Sequence, residues 1–140
     1  MSGPIDLSKT PLHLPSTMAG DHPYVPLEAF GFDGDSFERY IRDLCTTANP
    51  GRLVMVETSP ADWSAWERHA EGDELVVILA GAGVFHQMHG ETVRSWAFKA
   101  GDAFINPKGV WHTADVTEPM RALYITPCPG TEHKPRGERL

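Results

Sequence analysis

Cysteine is scarce. Cys45 and Cys128 are the two in 140 residues, they lie far apart, and no C-x-x-C or paired Cys/His spacing accompanies them. That argues against a disulfide framework or a structural zinc knuckle and fits a reducing cytosol. Positive charge is also short. Lys+Arg total 12 against 19 Asp+Glu, for a net charge of -7, so the basic patch that nucleic acid or an anionic membrane requires is missing. The longest apolar run, Leu75 to Phe85, is too short and too glycine-rich to cross a bilayer. The N-terminal MSGPIDLSKTPLHLP has no basic region followed by an apolar stretch, so no signal peptide is expected and a cytoplasmic location is. Signatures such as G-x-S-x-G, H-E-x-x-H, G-x-G-x-x-G and the phosphate-loop pattern are absent too.

What remains reads as one domain in three parts. Residues 1–50 form an arm and a helix packed on the domain. The arm holds Pro4, Pro11, Pro15, Pro23 and Pro26, and proline removes a backbone donor, so an interior strand or long helix is not expected there. It nevertheless carries Leu12, Leu14, Tyr24, Val25, Leu27, Phe30 and Phe32, more than a disordered tail would. An extended arm packed on the domain or on a second subunit is expected. GDSFERYIRDLC predicts one helix, with Asp35 and Glu38 placed as a capping box and Phe37, Tyr40, Ile41 and Leu44 on one stripe.

Residues 51–130 change texture. RLVMVET, ELVVILA, GVFHQM, VRSWAF, DAFINP, VWHTADV and MRALYIT are short runs rich in β-branched and aromatic residues, separated by SPAD, GAG, HGET, KAGD and PKG. Short strands at regular spacing with Gly/Pro turns predict an all-β sandwich or barrel. Residues 131–140 mix acids and bases and read as a polar, solvated tail.

The chemistry concentrates in WERHAEGDEL. Side chains alternate along a strand, so in ADWSAWERH the residues Trp63, Ala65, Glu67 and His69 share a face. Glu74 opens the next strand and can point back to that face. Much later, His112 follows PKGVW. Two imidazoles and one or two carboxylates without a thiolate suit Fe, Mn, Ni, Co or Zn as divalent ions.

The span from Glu67 to Val116 resembles the two signature motifs of the cupin superfamily. ERHAEGDELVVILAG supplies His69, Glu74 and Gly81 at the spacing of the first motif, with Glu67 where the pattern has its leading histidine. GDAFINPKGVWH supplies Gly101, Pro107, Gly109 and His112 at the intervals of the second. The resemblance implies a small single-domain cupin, a double-stranded β-helix (jelly-roll) barrel preceded here by the helix and arm, often dimeric through N-terminal strands. It implies a divalent metal (Fe, Mn, Ni or Zn) on His69, Glu74 and His112, with Glu67 as a fourth ligand or a catalytic base. Trp63 is the best candidate for the wall of a substrate pocket, and His86 is a second, weaker one. The expected function is binding of, or action on, a small organic molecule, with dioxygenase or isomerase chemistry within the family's range. The alternatives are a non-catalytic ligand-binding or sensing cupin without an essential metal, and a structural dimer with a filled barrel.

Overall fold

The computed structural model describes residues 3–15, 25–26, 39–40, 42–45, 50–128 and 130–137. Among these the architecture is all-β: β1 (Leu12–Pro15), β2 (Val25–Pro26), β3 (Gly51–Ser59), β4 (Ala65–His69), β5 (Glu74–His89), β6 (Thr92–Lys99), β7 (Ala103–Asn106), β8 (Trp111–Cys128) and β9 (Thr131–Pro135). All pairings are antiparallel. One path runs β2-β1-β3-β8-β4-β9, and β5 pairs with β6, β7 and β8. The sheet curls on itself, consistent with the expected jelly roll.

Two long strands form the spine. The expected turn at GAG is not one, since β5 runs through Gly81–Gly83, and the separate runs VWHTADV and MRALYIT join in β8, which passes through Pro119. The two strands bend together instead, with register shifts between Ile78 and Gly83. Glycine is required at this bend. A Cβ on Gly81 would collide with the Pro119 carbonyl, and one on Gly83 with that of Asp115. Gly81 also has φ +98°, a conformation that a side chain disfavours. These glycines therefore bend a strand that the sequence pattern predicts as two.

Alternation along the spine builds the core. Val76, Ile78 and Phe85 from β5 meet Ala114, Met120, Ala122 and Tyr124 from β8 and Phe98 from β6. Burying each of the larger side chains contributes about 1.5–3 kcal/mol. A second, smaller cluster holds Tyr40, Cys45, Leu53 and Cys128.

Four expectations need correction. The arm was not expected to supply an interior strand, yet Leu12–Pro15 pairs with β3 on one side and β2 on the other; Pro11 precedes the strand and Pro15 ends it, so its middle keeps its donors. The helix over 34–45 is not established. Arg39, Tyr40, Arg42 and Asp43 are helical and the Leu44 N–H closes a turn on the Tyr40 carbonyl, but the expected cap, Asp35 and Glu38, lies outside the described residues. The polar tail is instead β9, paired with β4 from Ala65↔Pro135 to His69↔Thr131. Backbone donors make that pairing, so the polar side chains do not prevent it. Finally, Cys45 and Cys128 are disulfide-bonded, with Cα atoms 5.2 Å apart. This removes the support that unpaired cysteines lent to a reducing compartment. Among the described residues no helix is long and apolar enough to cross a membrane.

Candidate metal centre

β4 and β5 bring the first three residues together. Glu67 and His69 sit two apart on β4 and project to the concave face, while Glu74 is the first residue of β5. β8 brings the fourth, because Glu67 and His112 are register partners. The turn before β8 is tied down: Gly109 N–H donates to the His69 carbonyl at 2.9 Å, and Lys108 N–H donates to Asp73 Oδ1 at 2.7 Å. Those two bonds aim His112 inward.

The four side chains converge. One ligand atom from each of Glu67, His69, Glu74 and His112 lies within 4.8 Å of all the others. His69 Nε2 is 3.2 Å from Glu67 Oε1 and 3.1 Å from Glu74 Oε2. His112 Nε2 is 3.4 Å from Glu67 Oε1 and 3.3 Å from Glu74 Oε1. These distances suit ion pairs, but none has hydrogen-bond alignment, and both Nε2 atoms are buried without a hydrogen-bond partner among the described residues. A buried polar atom left in that state is costly unless something else meets it. Ligands about 2.1 Å from a common ion sit roughly 3.0–3.5 Å from one another, so the donor set fits a divalent cation.

The surrounding contacts orient these donors. His112 Nδ1–H donates to the Val110 carbonyl at 3.4 Å, which leaves the lone pair of the neutral ring on Nε2. His69 Nδ1 is bonded to Thr131 Oγ1 at 2.9 Å. Glu74, which is fully buried, accepts from Asn106 Nδ2 at 3.0 Å and from Thr126 Oγ1 at 2.6 Å. Gln87 Nε2 in turn donates to Asn106 Oδ1 at 2.9 Å.

Electrostatics follow from the crowding. Burial pushes the Glu67 and Glu74 carboxyls up, but the imidazoles outweigh it: Glu67 is held well below the usual carboxylate range and Glu74 at about 2. Burial likewise pushes His69 down, and the two carboxylates overturn that to hold it at about 9; His112 is raised for the same reason.

A cavity of about 460 Å³ opens beside the cluster, lined by Leu53, Met55, Trp63, Glu67, Tyr124 and His133 among others. That volume suits a small organic ligand. The Glu67 side chain is 23% exposed while His69, Glu74 and His112 are 2% or less, so Glu67 is the most open of the cluster members, with His69 and Glu74 also lining the cavity. Trp63 lies on the cavity wall, edge-on to His112 at 6.1 Å between ring centres. His86 does not line this cavity: its ring is tied to Ser95 Oγ at 2.7 Å and Asp115 Oδ2 at 2.8 Å, and Arg136 pairs with the same carboxylate.

Sequence reasoning missed His133, whose Nε2 is 2.6 Å from Glu67 Oε2. It also missed Thr131, Thr126, Asn106 and Glu57. The period of β9 carried a signal: Thr131 and His133 face the cavity, while Glu132 pairs with Arg68 and Lys134 covers the Trp111 ring. Glu57 stands at the cavity rim, where desolvation and then the Glu67 charge raise its carboxyl.

With this geometry established, comparison with known proteins places the chain. Residues 54–126, just over half of it, match the family described as "Cupin domain". The chain belongs to the cupins. No curated protein matches it. Solved structures that resemble this cupin include Bacillus subtilis oxalate decarboxylase, at 15% identity over 63% of this chain and 23% of that one, with a TM-score of 0.47. A cupin protein from Bacteroides fragilis aligns at 20% identity over 64% of this chain and 70% of that one, TM-score 0.46. Hydroquinone 1,2-dioxygenase from Sphingomonas sp. TTNP3 aligns at 14% identity over 56% and 60%, TM-score 0.46. This cupin thus spans about a quarter of the decarboxylase's length.

Proposed function

We propose that this cupin is a metal-dependent protein acting on a small organic molecule, with His69, Glu74 and His112 as ligands of a divalent Fe, Mn, Ni or Zn ion and Glu67 as a fourth ligand or a base. The observation that supports this most is the pair of buried, unpartnered Nε2 atoms facing two carboxylates beside a cavity. A divalent ion held there supplies Lewis-acid polarisation or, for Fe or Mn, redox chemistry. The chain's own residues do the rest. Trp63, Met55 and Leu53 give the cavity an apolar wall that excludes water and orients the ligand. Glu67 presents one oxygen to the imidazoles and the other to His133, so it connects the cluster to the cavity mouth and can accept a proton from a bound molecule there.

One observation favours the second reading, a ligand-binding or sensing cupin that needs no metal. Without an ion, the two carboxylates and two raised imidazoles neutralise one another. Metal analysis of untagged protein separates the two readings. Near-stoichiometric metal that is lost in His69→Ala and His112→Ala supports the first; metal-free protein that binds small organic ligands as tightly as metal-loaded protein overturns it. Glu67→Gln then assigns Glu67: metal kept with turnover lost marks a base, and both lost mark a ligand. The proposed partner is a second copy of the chain, joined through the apolar arm; a clean monomer by size exclusion with light scattering overturns that part.

A further inference from the structure

A second group of metal-ligating side chains lies in the smaller core cluster, away from the cavity. His13 from β1, Cys128 from the end of β8 and Cys45 are all nearly fully buried, and a ring nitrogen of His13 and both sulfurs lie within 4.8 Å of one another. Tyr40 Oη–H donates to Cys128 Sγ at 3.6 Å, and the same hydroxyl is 3.0 Å from His13 Nδ1. A phenol has one proton to give. With that O–H directed at the sulfur, the oxygen accepts from His13 Nδ1–H, and in that tautomer the imidazole lone pair is on Nε2. That atom is buried with no hydrogen-bond partner among the described residues. Gly51, opposite Cys128 in the β3–β8 register, leaves room for the ring; a Cβ there would sit 2.6–2.8 Å from His13 Cε1 and Nε2.

We propose that Cys45, Cys128 and His13 form a second, thiolate-based metal site, which takes a soft divalent ion such as Zn(II) when the disulfide is reduced and is closed while it is bonded. The donor chemistry is that of Cys2His sites, with water or a further group in the fourth position. Tyr40 would be a positioning residue, holding the His13 tautomer and stabilising the Cys128 thiolate. The steps balance. A dithiol reductant gives two electrons and two protons to the S–S bond, becoming a disulfide itself and leaving two cysteine thiols. The ion then binds two thiolates and the two thiol protons leave to solvent. Access exists, since a cleft of about 390 Å³ lined by Leu14, Pro50, Gly51, Arg52 and Pro127 reaches Cys128. The sulfurs must part to roughly 3.8 Å, the separation set by tetrahedral geometry at about 2.3 Å per Zn–S bond. The 5.2 Å Cα separation accommodates that through side-chain rotation.

Cobalt(II) tests this on the full chain, because sulfur-to-cobalt charge transfer gives a near-ultraviolet band that a His/Glu site cannot produce. Protein reduced with a dithiol and desalted without oxygen should take up one more cobalt per chain than oxidised protein and show the band. Oxidised protein should lack it. Cys45→Ser and Cys128→Ser should abolish the band, and His13→Ala should weaken cobalt binding there by about tenfold or more. His69→Ala should leave the band unchanged, which separates this site from the barrel cluster. Absence of the band in reduced wild-type protein overturns the proposal, as does its persistence after oxidation or its indifference to His13→Ala. Loss of the fold on reduction, followed by circular dichroism in the same wild-type sample, overturns it equally.

Discussion

Metal uptake by the barrel cluster should expel protons, and the number is set by the four side chains. At pH 7.5 an ordinary histidine, with a value of 6.5, is about 9% protonated, so two such residues would release roughly 0.2 proton. His69 is held at about 9 by Glu67 and Glu74, so it is about 97% protonated at pH 7.5. His112 is raised by the same carboxylates, and Glu74 at about 2 is already ionised. A divalent ion needs neutral imidazoles. Uptake should therefore release between one and two protons, and the apparent affinity should rise at least tenfold per pH unit between about pH 6 and 8. The groups that face this cluster are Glu67 and His69 on β4, Glu74 on β5, His112 on β8, His133 on β9 and, at the rim, Glu57 on β3. Titration calorimetry of metal-free protein with Zn(II) or Mn(II), repeated in buffers of different ionisation heat, counts the protons directly. A count near 0.2, or an affinity flat across that range, would refute the convergence of the four side chains. Stability should follow with the opposite sign. The raised His69 stabilises the metal-free fold below about 6.5 and loses that contribution as pH rises through about 9. The depressed Glu74 contributes above about 4.5 and loses it as pH falls through about 2. The cluster thus favours the metal-free fold most between those two ordinary values, and the rise in Tm on adding metal should grow from pH 5.5 to pH 8.

Other outcomes follow from single contacts. Thr126→Val removes the hydroxyl that donates to Glu74 Oε2 and should weaken metal binding by about 10–100-fold with the fold retained, as read by competition with a chromophoric chelator. Phe85→Ala empties a fully buried position that stacks on Phe104 at 4.6 Å and on His112 at 5.9 Å; it should cost about 3–5 kcal/mol in chemical denaturation and loosen the metal as well. Gly83→Ala drives a Cβ into the Asp115 carbonyl and should lower Tm more than Gly90→Ala, which bears the backbone strain of φ +66° but whose added Cβ meets nothing among the described residues; a smaller effect at Gly83 than at Gly90 would contradict the close approach of β5 and β8. Truncation after Gly130 removes β9, and with it Thr131 and His133. It should weaken metal binding even if the remaining strands stay folded, as judged by circular dichroism.

Local patterns determined a good deal. Period-two apolar runs with glycine and proline between them specify strands without any knowledge of partners, and the all-β reading of 51–130 rests on that. The spacing of Glu67, His69, Glu74 and His112 pointed to one cluster because alternation assigns faces within a strand. What tertiary structure decided is whatever depends on two distant segments meeting. Gly81 and Gly83 look like a turn in isolation; they become a bend inside one strand because the β8 backbone at Asp115 and Pro119 leaves no space for a Cβ. Polarity misleads for 131–135, where TEHKP joins the sheet through its backbone and places His133 against Glu67. Cys45 and Cys128 show no local pairing pattern across 83 residues of separation; the β3–β8 register, which sets Cys128 opposite Gly51, brings the end of β8 back to the part of the chain that carries Cys45. Faces and periods are properties of neighbouring residues; register, close approach and long-range pairing arise only when the sheet closes.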